Sequence, residues 1–196
     1  YTMEKLDFLQ LHSQEVVQSI EKKMDDFFDQ LMSENFNNVT KISVDKVNDL
    51  ETEGIRLEAF LDYICAKHGY LMHGSITEIK DNYLKSQFGN VFASDRSAIA
   101  IMRSIYSNRN VNLEYPYQYD DQHPLKLVVH TPEDDRYISQ DNGFIYLVKK
   151  DGFFNEPAGS WQFVSQSPEV NYSIVVETKK ADFNHPVEFK NDLGKE

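Results

Sequence analysis

Basic residues are scarce in this sequence, and several features that would fix its class are missing. Twenty Lys and Arg face 32 Asp and Glu, a formal net charge of −12. The shortage holds along the chain: seven basic against fourteen acidic residues in positions 1–69, and thirteen against eighteen in the rest. A polyanion such as duplex nucleic acid is therefore repelled by the chain as a whole, and nucleic acid is not an expected partner. Only one cysteine is present, Cys65. That excludes an internal disulfide framework and fits a reducing compartment, with cytoplasm as the expected location. No apolar run approaches the roughly 20 residues that cross a bilayer, so no membrane span is expected. The first residue is Tyr1 rather than Met, which leaves room for a segment upstream. Metal chemistry lacks its ligands too: Cys65 has no second thiol, and His68 and His73 straddle a helix end, so no metal site is expected. No glycine pattern cradles a phosphate in the Walker or dinucleotide manner, and no nucleophile elbow is present.

What the chain does have is apolar and aromatic material. Forty per cent of its 196 residues are hydrophobic, with 11 Tyr and 13 Phe, enough for a packed core. From Met3 to about Asn35, residues Leu6, Leu9, Val16, Val17, Ile20, Met24, Phe27, Phe28 and Leu31 recur mostly at three and four, predicting one amphipathic helix. A second helix is expected over residues 43–68, with Ser43 as N-cap and Gly69 as left-handed C-cap. Its Val47, Leu50, Gly54, Leu57, Leu61 and Ile64 form a seam in which Gly54 lets a partner helix come close. The two helices, 3–35 and 43–68, predict an antiparallel hairpin, with a coiled coil between copies of the chain as the alternative and hence a possible homo-oligomer.

After Gly69 the period changes. Short apolar runs bounded by Gly, Asn, Asp and Pro predict strands at Tyr70–His73, Asn90–Ala93, Leu125–His130, Gly143–Lys149 and Val170–Glu177. A helix is expected over Ser94–Tyr106, capped by Ser94. Residues 76–83, 107–124 and 152–162 are expected as loops, and the polar tail after Pro186 as frayed. Tyr115, Tyr117 and Tyr119 alternate as a half-buried edge strand or, without flanking Lys or Arg, less favourably as a base-stacking platform. Trp161 and Phe163, with Phe153 and Phe154, wall a pocket or form a satellite core. The fold class is α+β, divided near residue 69 into a helical region, 1–69, and a β-rich domain, 70–196.

Five ordered segments carry a resemblance. Tyr70 to Ser75, Val91-Phe92-Ala93-Ser94 entering a helix, Gly143-Phe144-Ile145-Tyr146-Leu147-Val148, Gly152-Phe153-Phe154-Asn155-Glu156-Pro157, and Phe163-Val164-Ser165 to Val176 resemble the ADP-ribosyltransferase fold. The likeness is nearest to the small rifampin ADP-ribosyltransferases and covers about residues 70–178. It implies a split β-sheet holding NAD extended in a cleft, with His73 on the adenosine ribose and the backbone at Gly74 and Ser75 against the nicotinamide amide. Phe92 falls where the family has a Tyr stacked on the nicotinamide ring, keeping the face and losing the hydroxyl. Glu156 falls where the family's acid stabilises the oxocarbenium-like charge, with Asp151 and Glu169 as substitutes. The implied activity is NAD-dependent mono-ADP-ribosyl transfer to an unidentified acceptor. The rival is a non-catalytic interaction or assembly module on a degenerate form of that domain. RNA 2′-phosphotransferase-like activity, with Arg96 and Arg103 gripping a 2′-phosphate, ranks third because the chain is acidic.

Overall fold

The architecture comes from a computed structural model that describes residues 14–34, 39–86, 88–106, 112–120, 122–131 and 139–192. It is α+β. Helix α1, Gln14–Ser33, buries Val17, Met24, Phe28 and Leu31, a spacing of seven, four and three that puts them on one face. The expected start of this helix at residues 3–13 lies outside the described residues.

The segment after α1 is not a plain connection. Thr40–Ile42 forms strand β1, which pairs in parallel with residues 174–176, 134 positions further on, and buries Thr40 and Ile42. The second helix is two helices, α2 at Val44–Thr52 and α3 at Leu57–His68. Ser43 caps α2 as expected, its Oγ accepting the Lys46 N–H at 3.4 Å. Gly54 does not admit a partner helix, because nothing lies within 4 Å of where its Cβ would stand. It ends α2 instead. At φ +79° it turns the chain left-handed, the Gly54 N–H bonds the Glu51 carbonyl and the Ile55 N–H reaches the Leu50 carbonyl, the paired bonds of a Schellman stop. Buried Ile55 and Leu50 supply the apolar contact that accompanies it. Gly69, at φ +72°, ends α3 in the left-handed conformation expected.

Strands β2 (Tyr70–Ser75), β3 (Tyr83–Lys85) and β4 (Val91–Ser94) lead into helix α4 (Ser97–Ile105). Then follow β5 (Asn112–Glu114), β6 (Leu127–His130), β7 (Asn142–Lys149), β8 (Phe154–Asn155), β9 (Gln162–Ser165), β10 (Glu169–Lys179) and β11 (Val187–Lys190). Eight of these form one sheet, ordered β1-β10-β7-β2-β4-β9-β8, with β3 on a further stretch of β10. The remaining three form a small sheet, β11-β6-β5. The tail expected to fray after Pro186 is therefore strand β11, parallel to β6 with Phe189 opposite Val129.

Both faces of the large sheet are covered, and the alternation along β2 shows how. Tyr70 and Met72 face the helices in a cluster that includes Phe60, Leu61, Ile64, Ile101, Ile145 and Ile174, while Leu71 faces a second cluster with Val91, Tyr146, Val148 and Tyr172. The first cluster runs without interruption from Met24 in α1 to Phe183. The division expected near residue 69 thus falls inside one shared core. The seam residues Val47, Leu50, Leu57, Leu61 and Ile64 are buried within the chain itself, so they are not an open face for a second copy. Cys65 is buried beside them, and that burial holds its thiol pKa well above the usual value. No helix among the described residues is long and apolar enough to cross a membrane.

Candidate functional site

The large sheet parts at its centre. β2 pairs with β7 along its whole length, from Tyr70 opposite Lys149 to Ser75 opposite Phe144. On its other side it meets β4 through one pair, Met72 opposite Ser94, while β4 runs on beside β9. Past that pair the two strands separate, and a cleft of about 600 Å³ opens between them. Its wall includes His73, Gly74, Ser75 and Phe92, with Arg103 from α4, Tyr106 just after it, and the segment 76–86 on the outer side.

His73 bridges the two strands at the point of separation. Its Nδ1 lies 2.6 Å from the Phe92 carbonyl oxygen. A carbonyl only accepts, so Nδ1 donates and carries the proton, which leaves the Nε2 lone pair as an acceptor. Burial lowers the His73 pKa, the positive charge of Arg103 adds to this, and the Phe92 carbonyl opposes both. The imidazole is neutral at pH 7. Phe92, 45% exposed although it is a large aromatic in mid-strand, belongs to the cleft wall, and by alternation along β4 its side chain lies on the other sheet face from Val91 and Ala93.

Gly74 has another reason to be glycine than the close approach of a ligand. A Cβ there would overlap the Ala100 carbonyl oxygen, so its absence lets α4 lie against β2 and brings Arg103 and Tyr106 to the cleft. Gly143, on the neighbouring strand, makes the same allowance for Ser104. The Ser75 hydroxyl is engaged locally, donating to the Thr77 carbonyl at 2.8 Å and accepting the Thr77 N–H at 3.2 Å. It starts the segment that forms the outer wall.

Two tyrosines that the sequence did not single out hold that segment down. Tyr146 stands directly across from His73 on β7, and its hydroxyl accepts the Ile79 N–H at 2.6 Å. The Tyr172 hydroxyl, from β10, donates to the Asp81 carbonyl at 2.6 Å. The rings meet edge to face, 4.7 Å between centroids. Burial pushes the Tyr146 hydroxyl up to about 12, so it stays protonated throughout the physiological range. The anchored segment carries Asp81, the carboxylic acid found in the cleft wall among the described residues, whose carboxylate is 3.4 Å from the Lys85 ammonium.

The acid assigned from the resemblance lies elsewhere. Glu156 follows β8 at the outer edge of the sheet, separated from β2 by β4 and β9, and its exposed side chain is no part of the cleft wall. Its main chain is tied to Gln162, the N–H reaching the Gln162 carbonyl at 3.0 Å and the Glu156 carbonyl accepting from Nε2 at 2.8 Å. Asp151 is exposed in the turn after β7, and Glu169 pairs with Lys85 between β10 and β3; neither lines the cleft. The two arginines do not converge either, since Arg103 borders the cleft and Arg96 borders a different cavity. No family model, curated protein or solved structure matches the chain.

Proposed function

We propose that the chain binds NAD in the cleft between β2 and β4 and transfers its ADP-ribose to an acceptor nucleophile. One observation carries this reading: His73, Gly74, Ser75 and Phe92, assigned to NAD from the sequence, all lie in the wall of a single cleft at the place where the sheet parts. In the reaction the bond between the nicotinamide nitrogen and C1′ of its ribose breaks, nicotinamide leaves with the electron pair, and the acceptor bonds C1′ and releases its proton. The neutral His73 offers Nε2 to a ribose hydroxyl, and the exposed Phe92 ring offers a face to the planar nicotinamide. Glu156 is too far out on the sheet to serve from the cleft wall, so Asp81 is the carboxylate available to the developing positive charge.

The position of Glu156 also favours a second reading, a module that binds NAD without cleaving it or that serves assembly alone. Calorimetric titration of NAD into the full chain, with nicotinamide release followed in the same samples, separates the readings. Saturable binding with release is the expected result, and His73→Ala is expected to weaken binding by about tenfold or more, the worth of one buried hydrogen bond to a neutral partner. Binding without release selects the non-catalytic reading. Absence of binding at millimolar NAD discards both uses of the cleft.

A further inference from the structure

β4 borders a second cavity at its far end. Phe92 borders the cleft, but Asp95 and Arg96, just past the C-terminus of the same strand, line a space of about 500 Å³ with Tyr117, Tyr119 and Trp161. No residue is common to the walls of the two spaces.

Three features of this wall point to one class of ligand. The first is an aromatic platform. Tyr117 lies nearly flat on Trp161, 5.3 Å between centroids and 15° between planes, and it is 51% exposed. Trp161 is buried beneath it and fixed by its own Nε1–H, which donates to the Pro116 carbonyl at 2.8 Å. A stacked pair with one open ring accepts a further planar ring, and base stacking on such rings contributes roughly 1–3 kcal/mol.

The second feature is a cation. The Arg96 guanidinium rests on the Tyr119 ring, 4.2 Å from its centroid, and Arg96 belongs to the cavity wall. A stacked guanidinium directs its N–H groups outward in its own plane, toward an acceptor edge. The third is a carboxylate. The Asp95 N–H is held by the Trp161 carbonyl at 3.3 Å, and its exposed side chain lies within reach of the positive charges of Arg96 and Lys150. Asp120, also in the wall, differs: the N–H groups of Gln122 and His123 bond its carboxylate at 2.9 and 2.7 Å, and its acceptor capacity is spent in its own loop.

One cation and one carboxylate beside an aromatic platform suit a neutral planar ring with both an acceptor edge and a donor edge. Among the common nucleobases guanine meets both demands doubly. Its O6 and N7 accept from an arginine, and its N1–H and N2–H present two adjacent donors to the two oxygens of a carboxylate. Adenine and cytosine lack that donor pair. We propose that this cavity is a nucleobase site selective for guanine, with Tyr117 as the stacking surface, Arg96 on the acceptor edge and Asp95 on the donor edge. The ligand is a nucleoside or mononucleotide rather than a strand, because a chain of net charge −12 repels a polyanion.

Trp161 is the only tryptophan, so its emission reports on this cavity. The full chain, excited at a wavelength the bases do not absorb, is titrated with guanosine, adenosine and cytidine, and with a short guanine-containing single strand. Saturable quenching by guanosine is expected, with adenosine and cytidine weaker by about tenfold, the worth of one bidentate contact. Asp95→Asn should erase most of that preference, and Tyr117→Ala, which uncovers the Trp161 ring and is checked for an unchanged thermal transition, should weaken quenching by all three. Equal quenching by every nucleoside overturns the guanine assignment, and absence of saturable quenching overturns the site. Tighter binding of the strand than of guanosine overturns the mononucleoside assignment. Nicotinamide release reads the NAD proposal and tryptophan quenching reads this one, so either fails independently of the other.

Discussion

Asp62 is a carboxylate on α3 with 2% of its surface exposed, a placement tolerated only where hydrogen bonds meet it. Its partner is the Ser97 N–H at 2.7 Å, the first amide of α4. Ser97 answers by donating its own hydroxyl to the Glu58 carbonyl at 2.9 Å. Ser94, the expected cap, instead closes a turn on the main chain of Arg96. The N-terminus of α4 is therefore capped by a side chain 35 residues away, which no local rule identifies. Burial raises the Asp62 pKa above the ordinary 3.8, with the nearby Glu58 charge adding to the effect and the Ser97 N–H opposing it. A raised carboxyl pKa favours the folded state at low pH, and this contribution fades as pH rises through the folded value. Asp62→Ala should cost about 1–2 kcal/mol from the lost cap, measured by urea unfolding. Asp62→Asn keeps an acceptor oxygen without the charge, and should give a flatter stability profile between pH 4 and 8 than the parent. A parent profile that rises over this range would contradict the sign. Local pattern served the residues of the cleft wall better: His73 and Phe92 lie in strands the sequence predicts, one ahead of a glycine and one ahead of a helix. Glu156 was not, because its position depends on a two-residue strand, β8, pairing at the outer edge of the sheet. The hydroxyls of Tyr146 and Tyr172 were equally hidden, since only the β2–β7–β10 register brings them under residues 79–81.

For whole elements, periodicity recovered which residues are buried but not how the chain is divided. Val47, Leu50, Leu57, Leu61 and Ile64 are all in the core, as their spacing demanded. The spacing alone read through Gly54, although a glycine followed by isoleucine after a helical run is the sequence mark of a Schellman stop. Strands β1 and β11 went unrecognised for a different reason. Each is three or four residues long and parallel to its partner, so its stability comes from a strand distant in sequence and leaves almost no local trace. The chain beyond β11 is fastened by His130 on β6. Its Nε2 is 2.8 Å from Glu114 on β5 and its Nδ1 is 2.9 Å from Asp192, so both ring nitrogens face carboxylates and the imidazolium alone satisfies both. These partners raise the His130 pKa above 6.5, the hydrogen bond to Glu114 contributing most and that to Asp192 next. A histidine with a raised folded pKa stabilises fully below its unfolded value and loses that contribution as pH rises through the folded one. Proton NMR titration should place the His130 ring above 6.5, and Glu114→Gln or Asp192→Asn should each bring it down. A titration at or below 6.5 in the parent chain would show that the clip does not form in solution.

Across the whole molecule the boundary near residue 69 acquires a measurable meaning. Phe60, Leu61 and Ile64 of α3 and Ile42 of β1 are fully buried against residues of the sheet and α4, among them Met72, Ile101, Ile145 and Ile174. Burying one large aliphatic or aromatic side chain contributes about 1.5–3 kcal/mol. Four such residues therefore account for an amount comparable to the roughly 5–15 kcal/mol by which a domain is stable at all. Deleting residues 1–69 would expose the α4 face they cover, leave β10 without its neighbour β1, and remove the Asp62 cap, three losses at separate places. Residues 70–196 expressed alone should accordingly lack a cooperative thermal transition and give collapsed amide dispersion in a proton–nitrogen spectrum, while the full chain gives both signatures of a packed fold. The cleft would go with the fold, because α4 and the residue after it contribute Arg103 and Tyr106 to its wall and α4 is held in place by contacts on α3. If the fragment instead unfolds cooperatively, with the dispersed spectrum of the full chain, the helices are an appendage and the core is not shared. If it is unfolded alone but regains the transition when residues 1–69 are added as a separate peptide, the two parts are complementary pieces of one domain, which is the outcome the continuous cluster from Met24 to Phe183 requires.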